Sequence, residues 1–177
     1  TWLRTSPNGA HEFKAINNHG SWFAAQTAAL ALFVGDTAVA REIIAAIPAR
    51  IASQIQPDGQ QPIELERTMS MHYSSFNVEA LSRLAEMGRH VGIDLWHYEA
   101  PSGASLKRAI DHIVPHIGST STWPGRQIRE VEMETLLIHL RRAATVYGDA
   151  KYEAALARLP RDVVRKDRSA LLYPDAG

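Results

Sequence analysis

The sequence contains no cysteine, which excludes disulfides, thiolate metal sites and cysteine nucleophiles. It also lacks an excess of charge of either sign, because 19 basic residues stand against 19 acidic ones. Proteins that bind nucleic acid through its phosphates usually carry a basic excess, so we expect no nucleic-acid partner. Long apolar runs are absent as well: the longest, at residues 28–34, is far below the roughly 18 to 20 residues of a membrane span. We therefore expect no membrane partner.

The amino-terminal stretch TWLRTSPNGAHEFK has no apolar core followed by small residues, so we do not read it as a secretion signal. It also lacks an initiator methionine, and we expect the chain to be a portion of a longer protein. A length of 177 residues suits one domain, residues 1–177, with a substantial core.

Apolar residues recur at helical spacing along most of the chain, which predicts an all-α fold. A helix that is apolar on one side needs neighbours on that side, so we expect antiparallel helical hairpins in a bundle, a solenoid or an α/α toroid. Pro48 interrupts one apolar stripe without shifting its register, which predicts a kink within a single helix. The tail, residues 160–177, shows no clear period. The expected helices are residues 18–34, 37–55, 76–87, 106–117, 128–147 and 152–159.

The segment 62–74 differs, because apolar and polar residues alternate in it with a period of two. This pattern predicts an extended or irregular segment. Arg67 lies on the otherwise apolar side of the alternation, six residues before Tyr73. In an extended chain these two side chains share a face, whereas on a straight helix they would not. We expect a loop that presents both to a site.

Two clusters carry candidate chemistry. Asn17, Asn18 and His19 stand where the first long helix begins. They are either ordinary helix caps or, beside the free amides of a helix amino terminus, a site for a carboxylate. In the second cluster, Arg67 either forms an ion pair with a neighbouring glutamate or grips a carboxylate, while Tyr73 exchanges a proton.

Taken together, the clusters resemble the alginate lyase superfamily of polysaccharide lyases. The resemblance covers residues 15–127 and is carried by NNHGSWFAAQTAALALFVGD, PDGQQPIELERTMSMHYSSFNVEAL and DLWHYEAPSGASLKRAIDHIVPHI. It implies an incomplete α/α toroid, of which this chain resembles the carboxyl-terminal half, so that amino-terminal helices of the same protein would be its partner. It also implies catalysis by Asn18, His19, Arg67 and Tyr73.

The reaction implied by the resemblance is β-elimination on a 4-O-linked uronate polymer, without a cofactor. Asn18 and Arg67 would neutralise the carboxylate, His19 or Tyr73 would remove the C5 proton, and Tyr73 would protonate the leaving oxygen. The interval between Arg67 and Tyr73 is one residue shorter than in mannuronate-cleaving members and closer to relatives that resemble glucuronan lyases. The polymer therefore stays open. The family resemblance places the protein in the periplasm or outside the cell.

Three further residues are assigned to substrate binding: Asn17, Glu64 and Trp123. We expect Glu64 to orient Arg67 or to touch a hydroxyl, and Trp123 to stack on a sugar ring, while Trp22 is assigned to the core. No metal site is expected, because the i, i+4 histidines at positions 112 and 116 lack an evident third ligand. Two alternatives remain: a hydrolase on the same toroid that uses Glu64 with Asp58, and a non-catalytic module that binds acidic sugars.

Overall fold

The structure, a computed structural model, describes residues 2–132 and 134–174, which form helices joined by turns and loops. The described residues contain no β-strand and only two isolated antiparallel bridges, so the all-α prediction is confirmed. Within these residues, no helix is both long and apolar enough to span a bilayer. The helices are α1 (Trp2–Thr5), α2 (Pro7–Lys14), α3 (Asn18–Phe33), α4 (Thr37–Ala45), α5 (Ile47–Gln54), α6 (Pro62–Leu65), α7 (Ser70–Gly88), α8 (Leu106–Ile113), α9 (Glu134–Tyr147), α10 (Ala150–Leu156) and α11 (Arg161–Lys166).

Helices α3 and α7 form the centre of the fold. They are 16 and 19 residues long and pack against each other. Trp22 near the start of α3 contacts Phe76 near the start of α7, so the amino ends of the two helices lie together. After α3 the chain turns at Gly35, whose positive φ of 79° suits a residue without a side chain.

Helices α4 and α5 pack their isoleucines into the core. Ile44, Ile47 and Ile51 are fully buried. The predicted single kinked helix is wrong, because two helices form with Ala46 between them. Pro48 lies in the first turn of α5, where its missing N–H leaves no helical hydrogen bond unmade. Since Ala46 keeps right-handed helical angles, the apolar stripe continues across the break.

The expectation of an extended segment at residues 62–74 is also wrong. The segment consists of the short helix α6, a turn, and the first turn of α7, which begins at Ser70. Other bounds also differ from the prediction: α8 ends at Ile113 rather than at residue 117, α9 begins at Glu134 rather than at residue 128, and α10 spans Ala150–Leu156 rather than 152–159. Helix α2 precedes the first expected helix.

The tail, unassigned from the sequence, forms α11 and a 3₁₀ helix at Arg168–Leu171. Asp167 joins it to α9 by accepting a hydrogen bond of 2.9 Å from Nε of Arg141. Tyr173 then contacts Glu86 of α7 and lies 3.2 Å from Nε of Arg142. The tail is therefore docked on the helices that carry these residues.

Candidate active site

The turn before α3 is fixed by side-chain amides. The side-chain oxygen of Asn17 accepts a hydrogen bond of 3.2 Å from the backbone N–H of His19, which makes Asn17 the cap of α3. Nε2 of Gln54 donates to the backbone oxygens of Ile16 and Asn17, at 3.1 and 3.2 Å. These bonds place Asn18 and His19 in the first turn of the helix.

Asn18 is bound by Glu64, and both are only 2% exposed. One carboxylate oxygen accepts the backbone N–H of Asn18 at 2.7 Å, and the other accepts its Nδ2 at 2.8 Å. The positive end of the α3 dipole favours a carboxylate at this place. Because an ionised carboxylate only accepts, Nδ2 must face Glu64, which leaves one amide hydrogen and Oδ1 of Asn18 for other partners. The carboxylate of Glu64 thus orients Asn18 and not Arg67.

A buried network of amides supports this turn, and sequence analysis missed it. Nδ2 of Asn77 donates to the side-chain oxygens of Gln54 and Gln61, at 3.0 and 2.7 Å. Ser21 donates to the same oxygen of Gln54 at 3.1 Å. The network ties α3 to α5 and α7, so the position of Asn18 depends on three helices. For Gln54 and Asn77, the sequence signal is an amide side chain at a position that the helical pattern assigns to the core.

His19 has a carboxylate partner that the sequence did not suggest. Its Nδ1 lies 3.2 Å from Oε2 of Glu12 on α2, and its side chain is 57% exposed. Since Glu12 can only accept when ionised, Nδ1 of a neutral His19 carries the proton in this contact. In this tautomer Nε2 has a free lone pair, which a general base requires.

Arg67 and Tyr73 are in direct contact, as predicted, although the backbone between them is not extended. The guanidinium carbon of Arg67 lies 3.9 Å from the centre of the Tyr73 ring. Residues 126–128 hold this turn from a distant part of the chain. The backbone N–H of Ser70 donates to Arg126 O at 2.9 Å, and the side-chain oxygen of Gln127 accepts from Met71 N at 3.0 Å.

Trp123, like residues 126–128, contacts the start of α7, and it is buried, with 7% exposure. Its indole N–H donates to Oγ of Ser70 at 2.8 Å, and the rings of His112 and His116 pack edge-on at 5.2 and 5.0 Å. A sugar ring cannot reach a face of this indole, so the expected stacking role is wrong. Trp123 positions the start of α7 instead. Within the described residues, no group of three or more histidines and carboxylates forms a metal site.

A cavity of about 790 Å³ opens beside Asn18 and His19, between α3 and α7. Trp22, assigned to the core from the sequence, is half-buried and lines this cavity instead. Arg67 and Tyr73, which the structure also describes, do not line this cavity. The other lining residues are Glu12, Phe23, Ala25, Gln26, Ala29, Phe76, Arg83, Glu86, Met87 and His90.

Aromatic side chains connect the two pairs of predicted catalytic residues. The ring of His72 packs edge-on against Tyr73 at 5.4 Å and stacks on Phe76 at 6.0 Å. Phe76 in turn contacts Trp22 in the cavity wall at 4.8 Å. The structure thus brings Asn18 and His19 to one cavity, brings Arg67 to Tyr73, and joins these pairs through a continuous row of rings.

Comparisons with known proteins agree on one family. A family model described as alginate lyase matches residues 1–123, which include all four candidate catalytic residues. The crystal structure of an alginate lyase from Bacteroides ovatus superposes with a TM-score of 0.90 over 99% of this chain, at 34% sequence identity. The chain covers 47% of that protein, so it spans about half the length of the structure it matches. No protein of curated function matches it.

Proposed function

Because this chain belongs to the alginate lyase family, we propose that it cleaves 4-O-linked uronate polymers, alginate-like or glucuronan-like, by β-elimination. The observation that supports this best is that Asn18 and His19 line the cavity, with Arg67 and Tyr73 connected to them through the row of aromatic rings. These four side chains supply a hydrogen-bond donor, a base, a permanent cation and an acid.

The first requirement of the reaction is to neutralise the sugar carboxylate. The C5 proton lies next to this group, whose negative charge opposes a second developing charge, so electrostatic stabilisation is the largest contribution. The second amide hydrogen of Asn18 and the positive end of the α3 dipole stabilise the sugar carboxylate, and Arg67 adds a fixed positive charge. Glu64 and the amide network hold Asn18 in place beforehand.

Proton transfer follows from the same geometry. His19 accepts the C5 proton at Nε2 while Glu12 holds Nδ1, and Tyr73 gives its proton to the departing O4. For the epimer in which the C5 proton and O4 lie on one face, Tyr73 begins as the phenolate, takes the C5 proton and returns it to the departing O4. Each such group contributes roughly 10²–10⁴-fold to the rate.

The cleft needs more chain than these residues provide. The chain spans about half of the structure it matches, and we propose that amino-terminal helices of the same protein complete the cleft. We also propose that the protein acts in the periplasm or outside the cell, where acidic polysaccharides of this kind are found.

The test of this function is the product. Incubation with a panel of mannuronate, guluronate and glucuronate polymers should yield oligosaccharides with a new double bond that absorbs in the ultraviolet. Tyr73→Phe should lower the rate by at least about 10²-fold, because the acid is lost. Tyr98→Phe, a tyrosine outside both the cavity and the ring row, is the matched control and should keep the wild-type rate.

The two alternatives give different results. A hydrolase forms reducing ends without a double bond. The structure does not favour it, since Glu64 is occupied by Asn18 and Asp58 accepts hydrogen bonds from Gln60. A non-catalytic module would leave the polymer intact, and alanine at His19 or Tyr73 would change affinity alone.

A further inference from the structure

The wall of the cavity beyond Asn18 combines two aromatic rings with a cation. The ring centres of Trp22 and Phe76 are 4.8 Å apart, at an angle of 34°. The indole N–H of Trp22 donates to Phe76 O at 3.1 Å, which fixes the orientation of the ring. The guanidinium carbon of Arg83 lies 5.6 Å from the centre of the Trp22 ring. None of these side chains has a role in the proton transfers proposed above.

Arg83 is available to an outside anion. Its side chain is 53% exposed, and its ion-pair partner Glu79, at 2.7 Å, is also bound by Arg142. Glu79 therefore keeps a cation when Arg83 turns to a ligand. The two carboxylates of the cavity lining are engaged elsewhere, Glu12 with His19 and Glu86 with Arg142.

Arg83 lies well away from the catalytic tyrosine along α7. Ten residues of α7 separate Tyr73 from Arg83, which is about 15 Å along a helix. The ring row spans this interval, with Arg67 at one end and Arg83 at the other. A cavity of about 790 Å³ lies within the range of small-molecule sites, roughly 300–1,000 Å³.

We propose that Trp22, Phe76 and Arg83 form a binding subsite for a uronate unit of the polymer beyond the one that is cleaved. The sugar ring lies against the exposed faces of Trp22 and Phe76, and Arg83 binds its carboxylate. This rests on the proposed function for the identity of the ligand. The subsite makes the protein select chains in which the unit bound by Arg83 is also charged.

Binding measurements test Arg83 directly. Titration calorimetry uses the full-length protein, including the amino-terminal helices, with Tyr73→Phe to prevent turnover, and a uronate tetrasaccharide or its carboxyl-reduced counterpart. Adding Arg83→Gln should weaken Kd for the charged ligand about tenfold, as expected for losing a hydrogen bond between charged groups, and should leave the reduced ligand unaffected. The control is Arg89→Gln, an exposed arginine that does not line the cavity.

The outcomes separate the two proposals. An unchanged Kd on Arg83→Gln, or no binding of the charged tetrasaccharide at all, would overturn the subsite. If Arg83→Gln weakens binding but no polymer gains a double bond with the wild-type full-length protein, the subsite stands and the lyase proposal is wrong. In an active enzyme the same substitution should raise KM and leave kcat unchanged, because Arg83 does not touch the reacting atoms.

Tryptophan fluorescence gives a second readout that does not depend on activity. Of the four tryptophans, Trp96 and Trp123 are buried and Trp2 lies in α1, outside the cavity. The tetrasaccharide should shift the emission of the wild-type chain and of Trp2→Phe, but not that of Trp22→Phe. If Trp22→Phe keeps the full spectral change, the sugar does not lie on this ring and the proposal is wrong.

Discussion

The charges of the buried Glu64 and of the partly buried Glu79 are compensated in opposite ways. Glu64 accepts two hydrogen bonds from Asn18 at the amino end of α3. Glu79, on α7, is bound by Arg142 and Arg83, with His139 at 3.9 Å. Burial raises the pKa of Glu79, but Arg142 and His139 outweigh it, so the pKa lies below its ordinary value. One carboxylate is held by amides and the other by cations.

The two arrangements have different consequences: the contact of Glu64 orients a site residue, whereas the ion pairs of Glu79 hold helices together. A carboxylate held by an amide leaves that amide with a hydrogen and an oxygen unused, so Asn18 stays available to a ligand in the cavity. A carboxylate held by arginines has its charge matched within the protein. The Arg142 cluster also fixes the tail, because Tyr173 contacts Glu86 and Arg142. We therefore expect Glu64 to matter chiefly for activity and Arg142 chiefly for stability.

The largest effect on stability is expected for Arg142→Met. Arg142 is 3% exposed, and its removal leaves Glu86 without its cation and Glu79 with only the exposed Arg83. Breaking a buried pair in this way typically costs about 3–5 kcal/mol. Urea unfolding should show this loss. Arg83→Gln, on the exposed partner of the same glutamate, should cost less than about 1 kcal/mol and is the control. Equal losses for the two variants would contradict the cohesive role of Arg142.

Glu64→Gln should have the next largest effect. In glutamine an NH2 group replaces one of the two accepting oxygens and faces a donor of Asn18, so one of the two bonds is lost and we expect a loss of about 2 kcal/mol. Because Asn18 is then free to shift, kcat should fall more than KM changes. Glu66→Gln, an exposed neighbour, should match the wild type in both measurements. A variant of Glu64 with wild-type kcat would show that Asn18 needs no positioning.

The smallest effect concerns pH. Burial lowers the pKa of His139 to about 4, with Arg142 acting in the same direction and Glu79 against it. The unfolded chain takes up a proton below its ordinary pKa of about 6.5, while the native state does not, so stability falls as the pH falls. Between about pH 7.5 and about pH 5.5 this amounts to about 1.4 kcal/mol.

Urea unfolding of His139→Leu at both pH values checks this assignment. The variant should lose less stability than the wild type on acidification, by the amount that His139 contributes. His11→Gln, on the exposed side of α2, should keep the wild-type pH dependence. If His139→Leu behaves as the wild type does, another group causes the acid sensitivity.

The contact between Arg67 and Tyr73 shows what the sequence could and could not predict. The alternation with a period of two correctly predicted that these side chains lie together. It predicted an extended backbone, however, and the segment forms two helices joined by a turn. Arg67 stands before α7 rather than on it, so helical phase does not apply to the pair. The turn is held by Gln127 and Arg126, more than 50 residues away, and such tertiary partners leave no mark in a local pattern.

The tryptophans show the same limit. Helical spacing assigned Trp22 to the core. Trp123 was expected to stack on a sugar because it lies in a predicted loop. In the structure Trp22 lines the cavity and Trp123 is buried against α8 and Ser70. Periodicity identifies the apolar side of a helix, but whether that side meets a neighbour or a cavity depends on the arrangement of the other helices.

The most direct test of the central claim, that the two catalytic pairs act on one sugar, is a double-mutant cycle. The rates of double-bond formation are compared for His19→Ala, Tyr73→Phe and the combined variant. Residues that act as a unit are strongly non-additive. We predict that the combined variant is little slower than the slower single variant. A combined loss equal to the product of the two single losses would show that His19 and Tyr73 work independently, and would contradict the account.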